Sequence, residues 1–251
     1  MDASVWMVVI AGAAVAGFVQ GLSGFAFSMV STSIWIWTLP PQLVVVMAVF
    51  GALLGQVIAA VTTRRPLQWQ LFGPMLAGGL CGLPVGVALL PYLSREAFQL
   101  GVGLLLAVWC PLMLVANRLP RIGGGGRWGD ALAGAAGGLS GAFGGFTGAL
   151  PTLWCTLRGW DKDTQRGVIQ NFNLALLAVT FASYLGTGLV KPAMALPLAL
   201  VAGALLVPVL LGARLYVGLS ADNFRRIVLT LLALTGVSLL LKAAPAVLAR
   251  L

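Results

Sequence analysis

The chain has 251 residues, of which 60% are hydrophobic and only 8% are charged. A soluble globular chain is about 45–50% apolar and about 25% charged, so this composition excludes a soluble enzyme, a disordered chain and a disulfide scaffold. The apolar stretches are long and continuous rather than alternating, which predicts membrane-spanning helices and argues against an outer-membrane barrel. We therefore expect an all-α integral membrane protein.

The net charge is +9, from 15 Lys and Arg against 6 Asp and Glu. Most basic residues lie between apolar runs, where we expect them to set the topology and meet anionic lipid head groups rather than nucleic acid. The chain has no histidine, and Cys81, Cys110 and Cys155 lack a metal-binding spacing. We predict no metal and no cofactor, and we interpret the cysteines as small buried hydrophobic residues.

Eight apolar runs follow one another along the chain, four in each half. The first begins directly after Met1 and Asp2 without a basic stretch, so we expect a membrane segment rather than a cleaved signal peptide. The runs are residues 3–38, 42–62, 67–92 and 97–117, and then 131–157, 167–190, 192–218 and 224–249.

The first run of each half is predicted to be broken or re-entrant. Residues 3–38 would form a straight helix about 54 Å long, whereas the hydrocarbon core of a bilayer is about 30 Å thick. We therefore expect an interruption near Gly21. A matching interruption is expected near Gly144, within the run 131–157.

The two halves look like an internal duplication. We predict a first four-segment repeat at 1–117, a basic glycine-rich linker at 118–128 and a second repeat at 129–251, which together make one transmembrane domain. The recurring residues are Gly17, Gly21 and Gly24, matched by Gly137, Gly141 and Gly144, and Gly86, Leu93, Ser94 and Phe98, matched by Gly212, Leu219, Ser220 and Phe224.

The basic residues favour one topology. If all eight segments cross the membrane, the basic residues divide almost evenly between the two sides. If the first segment of each half folds back, the division becomes strongly unequal, as the positive-inside rule requires. The halves are then inverted repeats with both termini outside. The two sides carry residues 64, 65, 118, 121, 127, 158, 162, 166, 214, 225 and 226 against 95, 191, 242 and 250.

The glycine-rich interruptions are the candidate substrate site. Glycine breaks a helix at low steric cost, and the N–H groups and dipole at the new helix N-terminus favour an anion. Paired breaks in two repeats mark the binding sites of many transporters. At Gly17 and Gly137 we instead expect glycine to allow close helix packing. The candidate residues are Gln20, Gly21, Ser23 and Gly24 in the first half and Gly144, Gly145, Thr147 and Gly148 in the second.

Polar side chains within other apolar runs add three candidates, Gln56, Asn171 and Asn173. Amides in a membrane usually face the protein interior, where they can donate hydrogen bonds to an oxyanion or bond to neighbouring helices. The hydroxyls that follow the first break are expected to satisfy backbone groups freed by it. Those hydroxyls belong to Ser28, Ser31, Thr32 and Ser33.

No Asp or Glu lies deep inside an apolar run, and the chain has no histidine. A proton-coupled carrier usually needs such a group as a relay, and an intramembrane hydrolase needs a charged dyad or a metal cluster. The sequence therefore predicts a protein that is not an enzyme and that binds a small anion without covalent change.

Two segments resemble the sulfite exporter TauE/SafE family. In the first half the resemblance rests on residues 17–27, Gly-Phe-Val-Gln-Gly-Leu-Ser-Gly-Phe-Ala-Phe, followed by Pro40 and Pro41. In the second half it rests on residues 144–153, Gly-Gly-Phe-Thr-Gly-Ala-Leu-Pro-Thr-Leu, followed by Gly159 and Arg166. With the duplication and the eight segments, the resemblance covers nearly the whole chain.

This resemblance implies a multi-pass permease for a small sulfur-containing anion, such as sulfite or an organosulfonate, in a prokaryotic inner membrane. We expect a secondary transporter that binds the anion between the two breaks and works by alternating access. The residues leave open a non-transporting membrane scaffold and an anion channel. They do not indicate which anion is carried, in which direction, or in which oligomeric state.

Overall fold

The computed structural model describes residues 3–63, 67–215 and 221–248, and these ranges form ten α-helices. Short 3₁₀ turns follow α4 and α5 and precede α9. The helices are α1 Ala3–Ser23, α2 Phe27–Trp35, α3 Pro41–Thr62, α4 Trp69–Leu89, α5 Arg95–Val115, α6 Gly126–Gly141, α7 Ala149–Leu157, α8 Lys162–Gly186, α9 Ala195–Leu215 and α10 Ala221–Leu248.

Seven helices are long and apolar enough to cross a membrane, namely α1, α3, α4, α5, α8, α9 and α10. Helices α2 and α7 have nine residues each, and α6 has 16, so each is shorter than the roughly 20 residues that a span requires. The predicted all-α membrane architecture of about eight segments, with a broken first segment in each half, is confirmed.

The helix boundaries differ from the apolar runs at several points. The first break occupies residues 24–26 rather than Gly21, because Gly21 remains helical against α9. Helix α6 begins at Gly126, inside the predicted linker. Helix α8 begins five residues before its apolar run, because Asp161 accepts hydrogen bonds from the backbone N–H groups of Asp163 (3.1 Å) and Thr164 (2.9 Å). Hydrogen bonding to Thr164 lowers the pKa of the Asp161 carboxyl.

Each short helix folds back along the helix before it. The indole nitrogen of Trp35, at the end of α2, donates to the carbonyl of Val8 at 3.1 Å. The indole nitrogen of Trp154, near the end of α7, donates to Asp130 Oδ1 at 2.8 Å. Because each chain segment returns to the level at which it started, α1 with α2 and α6 with α7 form two re-entrant hairpins.

The two hairpins enter from opposite ends of the molecule. The end of α2 meets the start of α5, where Arg95 Nη2 donates to the carbonyl of Trp37 at 3.0 Å. The end of α3 meets α8, where Gln170 Nε2 donates to the carbonyl of Thr63 at 3.3 Å. The loops between α3, α4 and α5 are too short to cross the core, so these helices alternate in direction. We call the end with Trp37 and Arg95 the terminal end, and the end with Thr63 the linker end.

The packing of the helices is unchanged when the two halves are exchanged. Helix α1 packs on α9 as α6 packs on α4, and α3 contacts α9 as α8 contacts α4. Helices α5 and α10 form one symmetric pair, and α3 and α8 form another. With the hairpins entering from opposite ends, this pattern is that of inverted repeats related by a two-fold pseudosymmetry axis in the membrane plane.

Glycines allow the paired helices to approach closely. A Cβ atom on Gly78 or Gly82 of α4 would meet the carbonyls of Ala131 or Ala135 on α6. On the other side of the axis, a Cβ on Gly17 would lie 3.0 Å from the carbonyl of Leu205. The packing role predicted for Gly17 fits this placement.

The described basic side chains are concentrated at the linker end, as the fold-back topology predicts. The positive-inside rule accordingly predicts that this end faces the cytoplasm. The start of α1 and the end of α10 then lie outside, while Arg64, Arg65, Arg225 and Arg250 fall outside the described side chains. The linker end carries Arg118, Arg121, Arg127, Arg158, Lys162, Arg166, Arg214 and Arg226, and the terminal end carries Arg95, Lys191 and Lys242.

Candidate functional site

The second break, residues 142–148, lies against the side of α2. Gly144 and Gly145 have φ angles of +132° and +79°, which residues with a Cβ rarely adopt. A Cβ on Gly145 would lie 2.5 Å from Ser28 Oγ. Glycine is therefore needed here both for the backbone turn and for the approach of α2.

Two contacting pairs lie at the second break, Ser28 with Gly145 and Thr147 with Asn173, and Thr32 lies beside Gly144. We call these residues the central cluster: Ser28, Thr32, Gly145, Thr147 and Asn173. Thr147 Oγ1 donates to Asn173 Oδ1 at 2.8 Å, and both side chains are buried. The Nδ2 group of Asn173 then lies against Gly148, 2.7 Å from the position that a Cβ would occupy there. Since the Thr147 hydroxyl is already bonded to Asn173, the uncharged donor that this pair leaves near the start of α7 is the Nδ2 group of Asn173.

Thr32 carries an unusual hydroxyl group. Its side chain is fully buried, and its Oγ1 has no hydrogen-bond partner in the part of the chain that the structure describes. That oxygen lies 3.7 Å from the Cβ position of Gly144, one turn along α2 from Ser28. A buried polar group without a partner costs about 1–3 kcal/mol, which makes it a candidate contact for a bound molecule.

Two other hydroxyls of α2 donate to carbonyls of α2 itself rather than to backbone groups at the break. Ser31 Oγ donates to the carbonyl of Ser28 at 3.4 Å, and Ser33 Oγ donates to the carbonyl of Val30 at 2.8 Å. Ser28 Oγ makes one long bond, 3.4 Å to the carbonyl of Ala48 on α3. The expectation that the hydroxyls satisfy freed backbone groups is wrong for Thr32. In the sequence, the one signal that set Thr32 and Ser28 on a common helix face was their i, i+4 spacing.

The start of α7 adds electrostatic character to the cluster. This helix begins inside the protein at Ala149, and Gly148 immediately precedes it. The Ala149 N–H bonds to the carbonyl of Phe146 at 3.2 Å, and Pro151 has no N–H. The contribution of α7 is therefore mainly the positive end of its helix dipole. Helix α2 likewise begins inside the protein, at Phe27. Two helix N-termini and uncharged donors are therefore close together in the interior.

The first break is built differently. Its turn residue Gly24 has a φ of +87°, and Ser23 Oγ accepts hydrogen bonds from the N–H groups of Phe25 (3.4 Å) and Ala26 (3.2 Å). Gln56 Nε2 donates to the carbonyl of Gly24 at 2.6 Å, and Gln20 Nε2 donates to the carbonyl of Ala52 at 3.1 Å. The backbone N–H groups and glutamine amides here are thus largely committed to protein acceptors.

Most of the predicted site residues therefore form two groups, one at each break, while Gly21 and Asn171 lie apart from both. Gly144, Gly145, Thr147, Gly148 and Asn173 lie together at the second break, and Gln20, Ser23, Gly24 and Gln56 lie together at the first. Gly21 faces the carbonyl of Val209 in the contact between α1 and α9. Asn171 Nδ2 donates to the carbonyl of Gly167 on its own helix at 2.9 Å.

The two breaks differ in accessibility. Residues 144–149 at the second break are all buried, whereas Gly24 is exposed. Gln56, which bonds to Gly24, lies in the last two turns of α3 before the linker end. The first break therefore has an exposed turn residue near the linker end, while the second break is covered.

Trp109 on α5 connects the two breaks. Its indole nitrogen donates to the carbonyl of Ala149 at 2.7 Å, at the start of α7. Its ring packs edge-on against Phe25, with 6.1 Å between ring centroids and 85° between planes. One side chain thus contacts residues of both breaks.

An apolar groove of about 540 Å³ lies between α5 and the second hairpin. Its walls include Phe98, Leu105, Phe143 and Leu150, and it contains none of the predicted site residues. The central cluster is therefore separate from this groove.

Comparison with known proteins identifies one family. The family model for the sulfite exporter TauE/SafE matches residues 9–239 of the chain. No curated protein and no solved structure matches it. The family match spans both hairpins and both groups of site residues.

Proposed function

The chain belongs to the sulfite exporter TauE/SafE family of membrane permeases, and on that premise we propose that it carries sulfite or a small organosulfonate, bound at the central cluster. One observation carries the proposal: the unpartnered hydroxyl of Thr32 lies beside Gly144 among neutral donors at the start of α7. An oxyanion accepts hydrogen bonds from hydroxyl, amide and backbone N–H groups alike, and it is favoured by a helix N-terminus.

The charge of the cluster supports an anion. Its five residues are all uncharged, so an oxyanion entering it meets no fixed negative charge from them. Among the described residues, the buried carboxylate is that of Asp130. It lies near the start of α6 and accepts a hydrogen bond from Trp154 there. A binding step at the cluster therefore needs no proton transfer from the surrounding side chains.

The pseudosymmetry supports alternating access. The two halves share one helix arrangement but differ at their breaks. The first break is exposed near the linker end, and the second is buried. Exchanging the conformations of the two hairpins would cover the first break and open the second toward the terminal end. Trp109, which contacts both breaks, links the two changes.

The membrane potential is sufficient to drive export on this mechanism. An inside-negative potential of 100 mV is worth about 2.3 kcal/mol per negative charge. That energy corresponds to roughly a 50-fold concentration difference for a monovalent anion.

Sulfite efflux from proteoliposomes under an imposed potential tests the proposal, with sulfate, sulfoacetate and thiosulfate as competitors. We expect saturable, potential-driven flux that Thr32→Val weakens about tenfold in affinity. The matched control is Thr180→Val, because Thr180 is also fully buried but its hydroxyl bonds to the carbonyl of Leu176 on its own helix. Linear flux would indicate a channel, and no flux from folded protein would favour a scaffold.

A further inference from the structure

We propose that the first break binds a small monovalent cation, Na⁺, between the C-terminal end of α1 and the glutamine of α3. This site is distinct from the central cluster and goes beyond the proposed anion transport. It rests on two buried side-chain oxygens that lack hydrogen-bond donors among the described residues, Gln20 Oε1 and Gln56 Oε1.

The orientation of both amides is fixed by their neighbours. Gln56 Nε2 faces the carbonyl of Gly24, and Gln20 Nε2 faces the carbonyl of Ala52. Since a carbonyl accepts only from the nitrogen side of an amide, each Oε1 must point elsewhere. Gln20 is 3% exposed and Gln56 is 1% exposed, so the two oxygens are acceptors buried in the protein.

Both amides lie at the same turn of the fold. The Gln20 amide lies against Gly55, and its Oε1 is 2.5 Å from the Cβ position there. Gly55 is the neighbour of Gln56 on α3, and Gln56 bonds to Gly24. Gly24 in turn donates its own N–H to the carbonyl of Gln20 at 2.7 Å. The two amides therefore lie beside the same part of the fold, where the end of α1 meets α3 around Gly55 and Gln56.

The backbone of the first break favours a cation as well. Helix α1 ends at Ser23, so its last carbonyls and the negative end of its dipole point into the break. Ser23 Oγ accepts from the N–H groups of Phe25 and Ala26, which removes donors from the site. Gly24 is exposed, and a Cβ on it would meet no atom within 4 Å, so an ion can reach the turn from the protein surface.

The second break serves as an internal comparison. There, the hydroxyl of Tyr184 donates to the carbonyl of Ala142, and Ser140 Oγ donates to the carbonyl of Phe146 at 3.2 Å. Backbone carbonyls are thus filled at both breaks, by hydroxyl groups here and by Gln56 Nε2 and the Gly24 N–H at the first break. The first break differs in carrying two buried amide oxygens without donors among the described residues. The pseudosymmetry is broken at the point where a cation would bind.

The chemistry of these ligands selects the ion. Neutral oxygens suit hard cations, whereas Ca²⁺ and Mg²⁺ sites in proteins use carboxylates. The residues that form this site, Gln20, Ser23, Gly24 and Gln56, carry no charge. Unwound backbone carbonyls and helix C-terminal ends coordinate Na⁺ in other membrane transport folds.

The test is thermal unfolding of the purified full-length protein in NaCl and in choline chloride at equal ionic strength, without sulfite. We expect Na⁺ to raise the midpoint by several degrees in a saturable manner, because a ligand that binds only the folded state stabilises it. Gln20→Met and Gln56→Met should abolish the shift. Gln99→Met is the matched control, since Gln99 is also buried and donates to a backbone carbonyl, that of Ile36, away from the break.

Retention of ²²Na⁺ by the immobilised protein is the second measurement, and it does not depend on the stability of the variants. Saturable retention that competes with unlabelled Na⁺ is expected for the wild type and for Gln99→Met. Equal midpoints in the two salts and no retained ²²Na⁺ in the wild type would overturn the proposal. A shift that survives in both glutamine variants would overturn this location. Because sulfite is absent throughout, failure of the proposed anion transport would leave these results unaffected.

Discussion

Trp154 Nε1 lies 2.8 Å from Asp130 Oδ1 and holds the second hairpin closed, just as Trp35 holds the first by bonding to the carbonyl of Val8. The two clamps occupy matching positions in the two halves but differ in their acceptor, which is a side chain in one and the backbone in the other. The second clamp alone can be removed by changing its acceptor residue.

Replacement of Asp130 should therefore destabilise the second hairpin. Asp130→Ala leaves the Trp154 N–H without its acceptor, and we expect a loss of about 1–3 kcal/mol in the free energy of unfolding. Asp130→Asn keeps an oxygen acceptor and should lose less. Unfolding in a mixed-micelle denaturant series measures both variants. Equal losses of unfolding free energy in the two variants would mean that the carboxylate charge, rather than the hydrogen bond, stabilises the hairpin.

Gly145→Ala should impair transport. The φ of +79° disfavours any residue with a Cβ, by about 1–2 kcal/mol, and the new methyl group would press on Ser28 Oγ. Gly73→Ala is the control, because Gly73 is helical in α4 and its Cβ position meets no atom within 4 Å. Sulfite flux per folded protein should fall in the first variant and stay at the wild-type level in the second. Full activity of Gly145→Ala would remove the second break from the mechanism.

Asn173 and Asn171 should respond differently to alanine substitution. Asn173 lies in the central cluster, and loss of a hydrogen bond to an anion costs about 1.5–3 kcal/mol, or roughly 10- to 150-fold in affinity. Asn171 bonds to the carbonyl of Gly167 on its own helix, so Asn171→Ala should leave affinity nearly unchanged. Competition binding with sulfite measures both. The reverse order would move the anion toward the linker end of α8.

Thr32→Val should separate stability from function. Removing an unpartnered buried hydroxyl relieves a desolvation penalty, so we expect the unfolding free energy of the protein without substrate to rise by up to about 1–3 kcal/mol. The same change removes a donor from the central cluster and should weaken anion binding. Unfolding and binding are measured on one preparation. A variant that is destabilised would indicate that Thr32 Oγ1 has a partner in the folded protein.

Cysteine labelling tests the orientation of the molecule. Tyr92 lies at the terminal end and Trp128 at the linker end, and both are exposed. In a background without Cys81, Cys110 and Cys155, an impermeant maleimide added to intact cells should label Tyr92→Cys and not Trp128→Cys. Disrupting the membrane should make both reactive. Labelling of Trp128→Cys alone would reverse the topology.

The sequence predicted the two broken segments because length and glycine content are properties of the chain itself. A 36-residue apolar run exceeds the bilayer thickness whatever its neighbours are, and Gly24 and Gly144 both adopt the positive φ that a break requires. The unequal distribution of basic residues predicted the fold-back for a similar reason, since it depends only on which segments cross.

The roles of individual polar residues depend on tertiary contacts and were less predictable. Gly21 and Gly145 are both glycines at candidate breaks, but one packs against the carbonyl of Val209 and the other against the hydroxyl of Ser28. Thr32 stands in a run of similar hydroxyl residues, and only its surroundings show that its oxygen lacks a partner. Asp130 lies at the edge of an apolar run, where hydropathy does not indicate that it is buried.

The contact between α1 and α9 has a consequence for biosynthesis. Gly17 packs against Leu205, so α1 acquires this neighbour only after helices α2 to α8 have been translated. Until then, the glycine face of α1 and the amide of Gln20 must be accommodated by the insertion machinery or by lipid. Truncated nascent chains that end before α9 should therefore be the preferred targets of membrane quality-control proteases.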